Sequence, residues 1–191
     1  MKEIDTLRRN SKGLIAIQFS CFTDFEHAYD ADHLIRRWPL HFIQILVNQC
    51  KAYGYQVLNL TPLTGKLTDV LDYSYLNMGE LAGIIRQVDI VVGIDHFCCQ
   101  LAGILNIPNI SVYRSGVHTI ITSPNGGKNL CFRPVNRNIS LIEPDDGANT
   151  ATIQRIVSLL VNFFRGKLSI PAGLIRYQDT QDGINVYSHT E

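Results

Sequence analysis

The sequence predicts a doubly wound α/β domain with a mostly parallel, Rossmann-like sheet. Short apolar runs alternate along the chain with segments whose apolar residues recur at helical spacing. The clearest run, residues 90–94 (IVVGI), is apolar on both faces. Strands of that kind lie in parallel sheets whose two faces are covered by helices. The chain of 191 residues is long enough for one such domain.

The first predicted elements are a strand, a long loop and a helix. Residues 13–19 (GLIAIQF) form a short buried strand, and residues 20–35, which are polar, aromatic and acidic, form the loop. Pro39 begins the helix, because a first turn does not need the N–H that proline lacks. Gly54 ends the helix. Its apolar residues at helical spacing are Leu40, Ile43, Leu46, Val47 and Cys50.

The middle of the chain continues the alternation. Residues 55–60 (YQVLNL) are the second strand, and residues 61–75, which contain proline and glycine, form a loop with at most one helical turn. Residues 78–87 form a short helix that leads into the strand at residues 90–94. The apolar face of this helix consists of Leu81, Ile84 and Ile85.

The remaining predicted elements alternate in the same way. Residues 97–106 form a helix and residues 109–113 (NISVY) a strand. Residues 114–128 have the composition of a loop, and residues 130–133 are a further strand. Residues 150–164 form an amphipathic helix. Its apolar face consists of Ile153, Ile156, Val157, Leu160 and Phe164.

The chain is predicted to consist of three units. Residues 13–167 make up the Rossmann-like domain, and residues 1–12 precede it as an N-terminal extension. Residues 168–191 have weak periodicity and are predicted to be a C-terminal extension or arm. The sequence contains no internal repeat and no low-complexity tract.

Composition excludes several classes of protein. The 17 Lys and Arg residues balance 17 Asp and Glu residues, so the basic excess of a nucleic-acid-binding protein is missing. A content of 46% hydrophobic and 18% charged residues argues against disorder. No apolar run reaches the ~18–20 residues of a membrane-spanning helix, and the polar N-terminus does not resemble a secretory signal. We therefore expect a cytoplasmic protein with no membrane span and no nucleic-acid partner.

The cysteines predict reduced, buried thiols. They are odd in number and show no CxxC spacing, which disfavours both a disulfide framework and a zinc site. Histidines and aspartates of the long loop could form a metal site, but such residues are common in loops without metal. The five cysteines are Cys21, Cys50, Cys98, Cys99 and Cys131, and the loop residues are His27, Asp30, Asp32 and His33.

Polar residues follow the strand at residues 90–94, where the sequence continues Asp95, His96 and Phe97. Ligands of such sheets bind beyond the carboxyl ends of the strands, where helix N-termini present unpaired N–H groups. Asp95 is either a plain N-cap of the following helix or a residue that orients a diphosphate or a ribose there.

Arginines supply a second group of candidates. Arg36 and Arg37 stand just before the helix that Pro39 begins, where their charge opposes the helix dipole. A guanidinium group at a strand end suits bidentate recognition of phosphate. The alternatives are solvated arginines or a salt bridge to an aspartate of the loop. Arg114 and Ser115 follow the strand at residues 109–113 and are further candidates over the same crevice.

Common nucleotide and hydrolase signatures are absent. No GxGxxG follows the first strand, which disfavours a dinucleotide site, and no GxSxG is present, which disfavours an α/β-hydrolase. The Gly126-Gly127-Lys128 segment lacks the GxxxxGK[ST] spacing of a phosphate loop.

Four segments carry a resemblance to a known family. RRWP, GYQVLNL, MGELAGIIRQVDIVVGID and HFCCQLAGILNIPNISVY occur in this order. Together they resemble the C-terminal, nucleotide-sugar-binding half of glycosyltransferase family 9. These ADP-heptose:lipopolysaccharide heptosyltransferases have the GT-B fold of two Rossmann-like halves. The resemblance covers about residues 13–164, and its specific parts are x-W-P after a basic residue and an aspartate segment a-D-(S/T)-G-x-x-H-L-A-A.

The resemblance implies donor-binding roles for three residues. Arg36 stands at the family's lysine, which contacts the donor phosphates. Ser20 lies near the position of hydroxyl groups that touch the diphosphate, and Asp95 matches the aspartate of the donor site.

Three other positions depart from the family pattern. His96 and Phe97 replace Ser/Thr and Gly where the backbone approaches the diphosphate closely, so bulky side chains narrow or reshape the pocket. Gln100 replaces a histidine, which keeps hydrogen-bonding capacity and loses a charge. The resemblance therefore implies a degenerate donor site formed in part by these residues.

The implied function is a glycosyltransferase-like domain at residues 13–167 that binds a nucleoside-diphosphate sugar as substrate and needs no metal or other cofactor. The family's other half binds the acceptor and supplies the general-base carboxylate. Nothing before residue 13 corresponds to that half. Hexosyl or heptosyl transfer would therefore need a second half, a partner protein or another copy of the chain. The alternative is a non-catalytic interaction module on the same fold, and the choice between the two stays open.

Overall fold

The structure is a computed structural model and describes residues 2–20, 38–61, 63, 65–94, 97–114, 138–143, 149–170 and 184–185. Its helices are α1 (Lys2–Arg9), α2 (Leu40–Ala52), α3 (Met78–Ile85), α4 (Phe97–Ile104) and α5 (Thr150–Phe164). Its strands are β1 (Leu14–Gln18), β2 (Gln56–Asn59), β3 (Leu71–Asp72), β4 (Ile90–Ile94), β5 (Asn109–Arg114), β6 (Asn138–Glu143) and β7 (Ile184–Asn185).

The strands form one sheet in the order β3-β2-β1-β4-β5-β6-β7. All neighbouring pairs from β3 to β6 are parallel, and β7 alone runs antiparallel to β6. β1 is an interior strand, because it pairs with β2 on one side and with β4 on the other. The predicted α/β class with a mostly parallel sheet is confirmed.

Helices cover both faces of the sheet, and the sheet separates the core into two apolar clusters. Side chains alternate along β1, so that Ile15 and Ile17 belong to the cluster under α2 and α5. Leu14 and Ala16 belong to the cluster under α1, α3 and α4. All five residues of β4 are buried, as expected for a strand covered on both faces.

The two long helices agree closely with their predicted patterns. The predicted apolar face of α2 is buried at Ile43, Leu46, Val47 and Cys50. The chain turns after α2 at Gly54, whose φ of +87° lies in the left-handed region that favours glycine. Helix α5 has the predicted bounds, and the Asn149 side chain caps it by accepting a hydrogen bond from the N–H of Thr152 at 2.9 Å.

Several elements differ from the sequence-based expectations. β3 lies within residues 61–75, which were predicted to be loop, and it is only two residues long. β6 occupies residues 138–143, for which no strand was predicted, whereas the strand predicted at residues 130–133 lies outside the described residues. Helix α1 forms in the N-terminal extension and buries Ile4. Arg114, predicted to begin a loop, is the last residue of β5.

No helix of the described segments is both long enough and apolar enough to cross a membrane. The chain beyond α5 returns to the core at Ile170, which is 2% exposed.

The described cysteines are buried free thiols, as predicted. Cys50, Cys98 and Cys99 have no disulfide partner, and the Cys99 thiol lies 3.8 Å from the carbonyl oxygen of Ile110. Burial raises the pKa of Cys50 to about 12 and raises the pKa of Cys98 as well. Cys21 and Cys131 lie outside the described residues.

Thiol chemistry gives a direct test of this packing. A Cys21→Ser/Cys131→Ser variant keeps only the three buried thiols, and thiolate rather than thiol is the reactive form. At pH 8 we expect no thiol of the native variant to react rapidly with Ellman's reagent, and all three to react in denaturant. A thiol that reacts rapidly before unfolding would contradict the burial of the cysteines.

Candidate functional site

The carboxyl ends of β1 and β4 define the candidate site. The chain leaves β1 toward β2 on one side, and it leaves β4 toward β5 on the other, so the strand order reverses between these two neighbours. Open parallel sheets bind their ligands in the crevice at such a reversal. Two residues separate the end of β4 from helix α4, which directs its N-terminus to the same edge.

A buried glutamine connects β1 to the first turn of α4. Gln18, the last residue of β1, is 0% exposed, and its Oε1 accepts a hydrogen bond from the backbone N–H of Cys98 at 2.7 Å. The N–H groups of a first helical turn have no partner within the helix. The side chain of Gln18 therefore satisfies one of the donors that this helix presents at the edge.

Gly93 allows the two strands to meet closely beside this contact. It pairs with Gln18 across the sheet. A Cβ at position 93 would clash with the carbonyl oxygen of Gln18 and would lie 3.1 Å from the Gln18 Cβ. Glycine is therefore required by the close approach of the β1 backbone.

The segment after β1 and the segment before α2 are joined at the same edge. The N–H of Trp38 donates to the carbonyl oxygen of Phe19 at 3.1 Å, and the two rings stack with centroids 4.3 Å apart. Ser20, directly after Phe19, is 0% exposed. These contacts join Phe19, which follows β1, to Trp38, which precedes α2, at the carboxyl edge.

Buried polar groups also follow β2. Asn59 donates through Nδ2 to the Thr61 carbonyl oxygen at 2.8 Å and to Asp72 Oδ1 at 3.0 Å. Four side-chain polar atoms of the described residues are buried without a hydrogen-bond partner: Asn59 Oδ1, Thr61 Oγ1 and Trp38 Nε1 near this edge, and Ser11 Oγ before β1. Buried polar atoms are nearly always paired, so the three near the carboxyl edge give that edge unused hydrogen-bonding capacity.

The structure describes some of the predicted site residues. Ser20, Phe97 and Gln100 lie at this edge or on the first turn of α4, and the side chains of Phe97 and Gln100 are half-buried. Of Arg114 only the backbone is described, at the end of β5. The other predicted site residues, Arg36, Arg37, Asp95, His96 and Ser115, lie outside the described residues.

Sequence analysis missed Gln18, Gly93, Asn59 and Thr61. A signal was present for two of them, because Gln18 is the one polar residue in an otherwise apolar strand, and Gly93 interrupts a β-branched run. Asn59 and Thr61 lie in a segment with the ordinary composition of a strand end, and no sequence pattern marks them as site residues.

The described residues contain no group of three His, Cys, Asp or Glu side chains that could hold a metal ion. The loop residues considered for a metal site, His27, Asp30, Asp32 and His33, lie outside the described residues.

A separate groove of about 400 Å³ lies between α2 and α5. It is lined in part by Tyr53, which follows α2, and by Gln154 and Ser158 of α5. Because α2 ends where β2 is about to begin, this groove lies toward the amino ends of the strands. None of the residues predicted for the donor site line it.

Comparison with known proteins gives structural matches only. No family model matches the sequence, and no curated protein matches it. The structure of Escherichia coli ADP-heptose LPS heptosyltransferase II is similar with a TM-score of 0.57 at 14% identity, over 87% of this chain and 52% of that chain.

Two further solved structures are similar. E. coli heptosyltransferase WaaC with ADP matches at a TM-score of 0.50 and 14% identity, over 83% of this chain and 45% of that one. The glycosyl transferase family 9 structure from Veillonella parvula matches at 0.50 and 11% identity, over 88% and 44%. The chain thus spans about half the length of these structures. It has a glycosyltransferase-like α/β fold, and its resemblance to glycosyltransferase family 9 is confirmed at the level of the fold.

Proposed function

We propose that this chain binds a nucleoside-diphosphate sugar at the carboxyl edge between β1 and β4, as the donor-binding half of a glycosyltransferase-like protein. The observation that supports this most is the reversal of strand order at that edge, with the buried polar side chains of Gln18, Asn59 and Thr61 around it. One of the similar structures is a heptosyltransferase with ADP, which makes a nucleoside diphosphate the first ligand to test.

The proposal assigns separate roles to the residues around the edge. Arg36, two residues before Trp38 in the chain, holds the diphosphate through charge-assisted hydrogen bonds. Asp95, between β4 and α4, accepts hydrogen bonds from a ribose or sugar hydroxyl. Ser20 and the backbone of His96 and Phe97 contact the same diphosphate. The proposal needs no metal ion or other cofactor.

Glycosyl transfer needs groups from elsewhere. An acceptor hydroxyl attacks the anomeric carbon, a new C–O bond forms, the bond to the diphosphate breaks, and a base takes the hydroxyl proton. No described residue of this chain is assigned as that base. Since the chain spans about half of the similar glycosyltransferases, we propose that a second half, a partner protein or a second copy supplies the base and the acceptor site.

A thermal-shift screen tests the proposed ligand. The full chain is heated with ADP, UDP, GDP, CMP and their sugar derivatives. A ligand at ~100 times its dissociation constant stabilises the folded state by about 2.7 kcal/mol, which corresponds to a shift of roughly 5–11 °C for a domain of this size. A shift with one nucleotide supports the donor site and identifies the base, and titration calorimetry then gives the affinity.

Substitution of Arg36 is the most direct mutational test of this proposal. Arg36→Ala is expected to weaken binding of the nucleotide by about 1.5–3 kcal/mol, the contribution of a hydrogen bond to a charged group. Arg155→Ala is the matched control, because Arg155 is exposed on α5 and is not among the proposed binding residues. Equal affinities of Arg36→Ala and the wild type would remove Arg36 from the site.

A second candidate function is a non-catalytic interaction module. Two observations favour it: the N–H of Cys98 is already bonded to Gln18, and Ser20 is fully buried. Both reduce the number of groups that the edge offers to a diphosphate. If no nucleotide shifts the melting temperature, this function becomes the better explanation, and the search moves to protein partners.

A further inference from the structure

We infer that the groove between α2 and α5 binds a neutral saccharide, with the ring of Tyr53 as a stacking platform and a row of polar side chains on α5 as hydrogen-bonding partners. The groove lies toward the amino ends of the strands and shares no residue with the proposed donor site, so the two sites are independent. The described residues that line it belong to the two helices, apart from Tyr53, which directly follows α2.

The groove has the size and the fixed walls of a small-molecule site. Its volume of about 400 Å³ falls in the usual range for ligand pockets. Both helices pack against the same apolar core, to which α2 contributes Val47 and Cys50 and α5 contributes Val157 and Val161. The two α5 valines also line the groove and are only 7% and 9% exposed, so they form its apolar floor. Helices held in this way position the side chains of a site more precisely than loops do.

Polar side chains follow one another along the α5 wall of the groove. Gln154, Ser158 and Asn162 line it at intervals of four residues, so they lie on the same face of the helix, one turn apart. The row extends over ~12 Å, at 1.5 Å per residue. Gln49 adds a further amide from α2. Each of these groups can both donate and accept a hydrogen bond, as the successive hydroxyl groups of a sugar require.

Tyr53 supplies a flat apolar surface beside this row. Its side chain lines the groove, and the residue is 43% exposed. Its ring is nearly parallel to that of the buried Tyr55, at 18° and with centroids 6.1 Å apart, and Tyr55 in turn packs against Phe164 at 4.5 Å. The ring of Tyr53 is therefore supported on one side by further aromatic rings. The electron-rich face of such a ring attracts the weakly positive C–H groups on the face of a pyranose.

The groove is poorly suited to other classes of ligand. Of the described residues that line it, none is charged at neutral pH, so a phosphate group or a metal ion would lose water there without gaining a charged partner. A nucleobase stacks between side chains on both of its faces, whereas Tyr53 is the only aromatic residue among the described lining residues. A neutral pyranose, with an apolar face and a rim of hydroxyl groups, matches both the ring and the polar row.

An NMR titration of the isotope-labelled full chain tests this site. The probes are maltose, cellobiose and lactose as neutral saccharides, with adenosine and ADP for comparison. We expect at least one saccharide to shift the backbone amide signals of residues 49–53 and 154–162 in a saturable manner. ADP is expected to shift signals at the carboxyl edge instead, among them those of residues 18–20 and 97–100. The two sites are therefore observed separately in one spectrum.

Substitution of Tyr53 separates the stacking ring from the rest of the groove. Tyr53→Ala is expected to raise the dissociation constant of the saccharide about tenfold, the order of effect of losing an aromatic contact. Tyr53→Phe keeps the ring and should retain most of the affinity. Tyr75→Ala is the matched control, because Tyr75 is 76% exposed, follows β3 and does not line the groove. Gln154→Leu, at an exposed position of α5, takes the place of Tyr53→Ala if the alanine variant does not fold.

Saccharide shifts that are centred on the groove, weaken in Tyr53→Ala and persist in Tyr53→Phe and Tyr75→Ala support the saccharide site, even if ADP does not bind and the proposed function fails. The site is overturned if no saccharide shifts these signals up to its solubility limit, if Tyr53→Ala binds as tightly as the wild type, or if adenosine shifts them and the saccharides do not. ADP shifts at the carboxyl edge in any of these cases leave the proposed function intact.

Discussion

Gly93→Ala is expected to destabilise the chain by about 3 kcal/mol or more, at the upper end of the usual cost of overpacking a core. The added Cβ would clash with the backbone carbonyl oxygen of Gln18 and would also lie 3.1 Å from the Gln18 carbonyl carbon. These are mostly backbone atoms in the middle of a paired, fully buried sheet, so no side-chain rotation can relieve the clash. β1 and β4 would have to separate where the strand order reverses.

Gly83→Ala is the matched control for this substitution. Gly83 is exposed on α3, and a Cβ there would meet nothing within 4 Å. Alanine is the better helix former, so this variant is expected to gain about 0.5–1 kcal/mol. Thermal unfolding of both variants should show a melting temperature lowered by roughly 6–12 °C for Gly93→Ala and slightly raised for Gly83→Ala. A melting temperature of Gly93→Ala within 2 °C of the wild type would refute the close approach of the two strands.

Much of the fold could be predicted from the sequence, because its long elements have strong periodicity. The buried strand β4 is a continuous apolar run, and α2 and α5 carry apolar residues at helical spacing over three or more turns. Such patterns show which face of a strand or helix is buried, and burial of that face determines which element forms. Strand order then follows from the few ways in which parallel strands connect through helices.

Short elements could not be predicted, since their formation depends on neighbours distant in the sequence. β3 consists of two residues, Leu71 and Asp72, that are paired with the end of β2. Helix α1 has eight residues of mostly polar character and is held by Ile4 in the core and by Tyr73, whose hydroxyl donates to Glu3 at 3.2 Å. Neither segment has enough local signal to specify its structure alone.

The candidate site, like the fold, could be predicted only in part. Its location at the strand ends could be predicted from the topology, and Gln18 stands out as the one polar residue of an apolar strand, but the bonding partner of Gln18 could not be assigned. Its partner, the Cys98 amide, is 80 residues away in the sequence, and a buried glutamine within a strand has no characteristic motif. Arg36 and Asp95 remain predictions of the sequence, to be tested by binding.

The opposite edge of the sheet depends on one carboxylate. Asp89 Oδ2 accepts a hydrogen bond from the N–H of Leu14, the first residue of β1, at 2.8 Å. Its other oxygen accepts from Arg8 Nη2 at 3.1 Å, and the same Arg8 nitrogen donates to the Gln87 carbonyl oxygen at 2.8 Å. Asp89 therefore joins α1, the start of β1 and the segment before β4.

Asp89→Ala is expected to destabilise the chain by about 1–3 kcal/mol, because it leaves the N–H of the fully buried Leu14 without a partner. Arg8→Ala should cost no more than about 1 kcal/mol, since an exposed ion pair contributes little. Asp89→Asn keeps an oxygen for Leu14 and should fall between the two. Urea unfolding at pH 7 measures all three.

Because Asp89 lies at the amino edge, far along the strands from the proposed donor site, the folded variants should bind nucleotide as the wild type does. If Asp89→Ala and Arg8→Ala lost equal stability, the ion pair would be the important contact and the bond to Leu14 would not.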